Sequence, residues 1–313
     1  MRCLAKRLFI LVPIAFLVLT YTTAEAQKVK GSFVYALSDF TGTIPYDWVR
    51  ISVDKERGEV YVINENYLRV FNQHGMEIYR FGDDLDLGSI LDIAVDQNGD
   101  ILLLTYKDPN SSIIHCSYRG EPKDRIELRN LPPEFSGFVP NRMVYQGGNL
   151  YLASLSGMKI VITDAQGSFR KGYDLIPLIE LKEKNRADTE ISGLSVDQDG
   201  NILFTVPVLF RAYILSPDGR IDWFGKPGGA PGRFNIAAGV VRDSKGNFLV
   251  LDKLKCAVMA YDKDYNFLSQ FGSRGLKPGD LIAPDGIVID NSDRIYVTQG
   301  RSRGVSVFKI TQD

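Results

Sequence analysis

The sequence predicts an all-β protein: a six-bladed β-propeller of four-stranded antiparallel blades, the last blade closed by the N-terminal strand. One observation is a repeat in which an apolar stretch meets an Asp, a short turn often holding Gly, and a second apolar stretch. It reads VDKERGEVYV from Val53, VDQNGDILLL from Val95, VDQDGNILFT from Val196, RDSKGNFLVL from Arg242 and IDNSDRIYVT from Ile289. A weaker copy, VYQGGNLYLA, starts at Val144. The marker positions Asp54, Asp96, Tyr145, Asp197, Asp243 and Asp290 are about 42 to 52 residues apart, which is the size of a propeller blade. A second observation is that each copy holds four strand-length apolar segments bounded by turn residues, often apolar on both faces, as in ILLLTY and NILFTV. Sheets stacked around an axis need that pattern, whereas a sandwich strand alternates.

The elements follow in order. Residues 1–26 read as a signal peptide. Arg2, Lys6 and Arg7 precede an apolar run over 8–19, and Ala24-Glu25-Ala26 has the small-x-small form of a cleavage site. The propeller domain is then 27–313. No later run is apolar enough to span a membrane, so the mature chain is expected to be exported, to a periplasm or beyond a cell. The whole chain has 37 Lys+Arg against 38 Asp+Glu, and loss of the leader leaves a net charge of about −3. That balance gives no basic field for nucleic acid.

In the fourth repeat the strands fall at 193–197, 201–206, 211–216 and 220–224. The sixth repeat supplies only three, at 286–290, 294–298 and 304–310. The missing outer strand is available at 31–40, ahead of the first inner strand at 49–54. Pairing it with the last repeat locks the ring and leaves no open edge at the seam. Cys116 and Cys256 then lie in third strands of blades on opposite sides of the axis, too far apart for a disulfide, so both are expected free and buried.

The linkers carry a family resemblance. FGSRGLKPGDLIAPDGIVIDNSDRIYVT over 271–298 and FGKPGGAPGRFNIAAGVVRDSKGNFLVLD over 224–252 closely resemble the linkers and inner strands of NHL repeats. The Asn-His-Leu tripeptide is absent, and the Asp that usually ends the second strand survives at Asp252. The resemblance implies the propeller and leaves function open, since NHL propellers include both binding modules and enzymes.

Extra length is concentrated on one face, at 106–112, 130–141, 175–190, 206–211, 225–236 and 272–285, while the opposite face has tight turns. Long loops on a rigid scaffold are where binding is usually built. The predicted function is non-catalytic: this face binds a protein, peptide or glycan. Apolar residues Phe135, Phe138, Ile176, Val208, Leu209 and Phe210 are the candidate partner surface, the competing use being packing of the loops on one another. Arg50, Asp92, Asn141, Arg142, Glu190 and Asp285 are expected at the channel mouth. Lys253, Lys255, Arg274, Lys277, Arg301 and Arg303 form a basic rim.

No cofactor is expected for a binding module. The alternative is a metal-dependent lactonase or lyase. PDGIVID at Asp285 resembles the metal-binding strand start of gluconolactonase-like propellers, which would assign Asp285, with Glu190, to Ca²⁺ or Mg²⁺. Where those enzymes have Asn-Gly, this chain has Ser192-Gly193. The two His, His74 in a turn and His115 in an outer strand, cannot supply a multi-histidine zinc site.

Overall fold

A computed structural model describes residues 28–312 apart from 45, 46, 48, 66, 83–86, 108, 109, 183 and 184. The expected leader, 1–26, lies outside the described residues. Six four-stranded antiparallel sheets form the ring, each running from an inner strand at the axis to an outer strand at the rim. The inner strands, in blade order, are Arg50–Val53, Ser89–Val95, Arg142–Gln146, Ser192–Val196, Ala237–Arg242 and Gly286–Ile289.

The repeated Asp has a local cause. Asp96, Asp197, Asp243 and Asp290 each accept backbone N–H groups from the residues two and four positions on. The carboxylate therefore organises the turn between first and second strands. Blade 3 dispenses with it. There Gln146 pairs with Asn149 across Gly147-Gly148, whose φ values are 57° and 77°. Positive φ at both central residues is the two-residue hairpin turn that glycine adopts without strain.

The core is divided by blade interface. Six buried apolar clusters are present among the described residues, and each joins two neighbouring blades. Second and third strands are buried on both faces, as in Ile202–Val206 and Ala257–Tyr261. A strand flanked by two packed sheets has no solvent face to alternate towards.

The ring closes as the sequence predicts. The N-terminal strand, Val29–Ala36, pairs antiparallel with Val305–Gln312 in register Val29↔Gln312 to Ala36↔Ser306. Its end differs from the expected 31–40. The last seam bond is Leu37 N to Val305 O at 3.0 Å, where the partner strand itself begins. With no strand left to pair, the chain turns into a small hairpin of Ser38–Asp39 and Gly42–Thr43. Leu37 is 1% exposed and packs with Val305 and Val307 of blade 6 and with Val60 and Val62 of blade 1. Cys116 and Cys256 are free thiols and both are buried.

Candidate functional site at the channel mouth

Antiparallel order within each blade sends successive connections to alternate ends of the ring. The long linkers and the second-to-third strand connections share one face, and the Asp turns share the other. Between them runs a central channel of ≈ 1050 Å³ lined by all six inner strands.

The long-loop end is wide and charged. Arg50, Asp92, Arg142, Glu190 and Asp285 come from five blades and line one space, as expected from their positions at the strand starts. Asp92 is 7% exposed. Its carboxylate accepts Ile93 N–H at 3.0 Å and Met143 N–H at 2.8 Å, tying blade 2 to blade 3. A bulge between Ile90 and Asp92 re-aims this part of the strand. Burial raises the Asp92 carboxyl above its ordinary value, against the opposing effect of Arg142, the two N–H donors and Arg50. Burial likewise lowers Arg142, with Asp92 pulling it back up and Arg50 lowering it further. Asp285 receives the Lys253 ammonium at 2.6 Å.

Asn141 has a different place. It does not line the channel; its Oδ1 accepts Leu155 N–H at 3.1 Å and so anchors the entry to blade 3. On the neighbouring side, Gly193 faces Gly239 so closely that a Cβ on Gly193 would lie 2.7 Å from the Gly239 Cα. Any side chain there would push the inner strands of blades 4 and 5 apart, and the φ of 61° at Gly193 favours glycine as well. Ser192 Oγ donates to Ala238 O at 3.0 Å, fastening the same pair of strands.

At the tight-turn end, Lys55 reaches from blade 1 to Gln146 Oε1 in blade 3 at 3.1 Å. Burial lowers its ammonium below the usual lysine value, opposed by Asp197. Arg242 bridges Asp197 and Asp199, each at 2.9 Å. Lys55 and its bridge were not singled out from the sequence, because nothing local distinguishes this Lys from other turn lysines.

The apolar candidates on the long loops divide between packing and exposure. Phe135 is 5% exposed, its ring near Phe138 and Phe169 and under the Lys159 ammonium. Phe138, Ile176, Leu209 and Phe210 are half-buried against the interblade clusters. Ile176 sits in a helical turn, Leu175–Leu178, capped by Asp174, which accepts Ile176 N–H. Val208, 47% exposed, projects from the turn Pro207–Leu209. In the basic rim, Lys255 donates to Gly229 O and Ala230 O and Arg274 to Leu254 O, so these two cations hold loops.

At the tight-turn end, where Asp96 borders the channel, ligand atoms of Asp96, Asp100 and His115 lie within 4.8 Å of one another. Asp100 already holds the Lys123 ammonium at 2.5 Å and His115 Nε2 at 3.2 Å. His115 lies in the third strand of blade 2, not the outer strand expected, and its Nδ1 faces Asp124 of the outer strand at 3.1 Å, so this imidazole is fixed by two carboxylates.

No protein-family model matches the chain, and no curated protein sequence matches it. Solved structures do match in shape. A structural genomics protein of unknown function from Bacteroides thetaiotaomicron is 15% identical, with a TM-score of 0.63 over 91% of this chain and 76% of that one. Virginiamycin B lyase from Staphylococcus aureus is 13% identical, with a TM-score of 0.57 over 91% of this chain and 99% of that one. An auxiliary nutrient binding protein from Bacteroides ovatus is 13% identical, with a TM-score of 0.58 over 91% of this chain and 77% of that one. At such identities the likeness establishes the six-bladed propeller fold alone.

Proposed function

We propose that the protein is an exported NHL-type propeller that binds a protein, peptide or glycan at its long-loop face and channel mouth without transforming it. The observation that carries this reading is the state of two mouth carboxylates, Asp92 and Asp285. Asp285 is bound to Lys253, and Asp92 is turned to backbone N–H groups. A general base or a metal ligand needs a carboxylate with open lone pairs facing the substrate. A structural neighbour named as a nutrient binding protein agrees with a binding role on this fold.

The lactonase or lyase alternative would place Ca²⁺ or Mg²⁺ at Asp285 and Glu190. The donor set does not fit. An ammonium 2.6 Å from Asp285 occupies the anion, and Arg50 and Arg142 add two more positive charges at the same mouth. A divalent cation at Asp285 would have to displace Lys253.

The test is capture from the native exported fraction by immobilised protein, with the retained ligand analysed for chemical change. Val208→Arg on the long-loop face should abolish capture, and Tyr118→Arg on the tight-turn face should not. Retention that survives Val208→Arg and fails with Tyr118→Arg, or a retained ligand recovered cleaved, overturns the proposal.

A further inference from the structure

The mouth holds two guanidiniums whose donors are largely unfilled. Arg142 gives one N–H to Asn141 O at 2.5 Å. The Arg50 side chain makes no hydrogen bond, and neither arginine is ion-paired, among the described residues. A guanidinium presents five N–H donors in a planar fork. The two arginines lie close enough for Arg50 to depress the ionisation of Arg142. Two guanidiniums with open donors line one cavity, and a ligand anion there could fill those donors.

The surroundings decide which anion. Asp92, Glu190 and Asp285 share the mouth, so a dianion such as phosphate or sulfate meets three carboxylates as well as the arginines. A single carboxylate carries half that charge, and its planar oxygens match the guanidinium fork in a bidentate pair. Below the arginines the wall is mixed, with Ile51 and Leu194 beside Ser52 and Ser195. The channel volume of ≈ 1050 Å³ suits a ligand of a few residues or sugars.

Resting on the reading of the mouth as a binding site, we propose that its ligand is a monocarboxylate, recognised by Arg50 and Arg142 with its body directed down the channel. A peptide C-terminus and a uronic acid both present this group.

The experiment is calorimetric titration with four probes: acetyl-Ala-Leu-Leu as free acid, the same peptide as its amide, trigalacturonate and its methyl ester. Each charged probe that binds should do so at least tenfold more tightly than its neutral counterpart. Arg50→Gln and Arg142→Gln should each lose tenfold or more, Arg50→Lys should keep part of the affinity, and melting of each variant reports whether it is folded. Tighter binding of the peptide acid or of trigalacturonate identifies the source of the carboxylate, and either supports the proposal. Neutral probes that bind as tightly as the charged ones overturn the carboxylate while leaving the mouth as a binding site. Folded Arg50→Gln with wild-type affinity, inorganic phosphate that outcompetes the acids, or no binding by any probe overturns the proposal. The Val208→Arg capture result is independent of all four probes, so failure of the general reading is seen separately.

Discussion

Closure of the ring makes the seam at Leu37 a place where a single side chain joins the two ends of the domain. Leu37 is 1% exposed and packs with Val305 and Val307 of the last blade and Val60 and Val62 of the first. Leu37→Ala removes that contact and leaves a cavity between two sheets that cannot easily close over it. Such a change costs about 2 to 5 kcal/mol. For a domain of this size each kcal/mol moves the melting temperature by roughly 2 to 4 °C, so the expected fall is about 4 to 20 °C. Val34 supplies the control, because it lies three residues earlier, on the N-terminal strand, and is 48% exposed. Val34→Ala should stay within about 0.5 kcal/mol of the parent. The assay is thermal unfolding of parent and both variants at one pH, followed by circular dichroism. If Leu37→Ala melts with Val34→Ala, the N-terminal segment is not part of the closed ring and the argument from the missing sixth-blade strand fails.

Two further outcomes follow from the same geometry. Burial raises the Asp92 carboxyl above 3.8 in the fold, so its contribution is complete below that pH and is lost as pH rises through the folded value. Asp92→Asn carries a constant deficit, because one amide oxygen cannot replace both carboxylate oxygens. Its stability relative to the parent should nevertheless improve from pH 4 to pH 7, as chemical denaturation at several pH values would show, and a difference that worsens over that range contradicts the burial argument. Burial also pushes the Cys116 thiol up to about 11. In the chain lacking residues 1–26, a thiol reagent at pH 8 should react slowly with the native protein and count two thiols after unreduced denaturation; a count of zero would mean a disulfide and reject the blade assignment.

Much of the fold was legible because the turn between inner strands has a local cause. An Asp that accepts N–H groups two and four residues on leaves a mark at every blade that uses it, and blade 3 is recognisable by Gly147-Gly148, which does the same work through backbone conformation. Closure was legible by counting, since the sixth repeat lacked one strand. The end of that strand at Ala36 was not, because it depends on where the partner begins at Val305. At the mouth, the starts of the inner strands pointed to Arg50, Asp92, Arg142, Glu190 and Asp285, but also to Asn141, which turns to Leu155 N–H instead. Their partners were hidden. Lys253 and Asp285 are 32 positions apart on different blades, and Lys55 meets Gln146 across the channel, so neither pair has a sequence period. The apolar loop residues carried a true ambiguity. Phe135 and Val208 look alike in the sequence, yet one ring lies inside the loops and the other side chain faces water.

The central claim is that the long-loop face, with the channel mouth at its centre, is the binding face of a closed ring. Hydrogen exchange of the protein saturated with its captured ligand tests this most directly. Exchange should slow at 130–142, 186–192 and 206–211, around the mouth and its flanking loops. Slowing confined to the Asp turns at 96–100, 197–201, 243–247 and 290–294 would put binding on the opposite face and contradict the account.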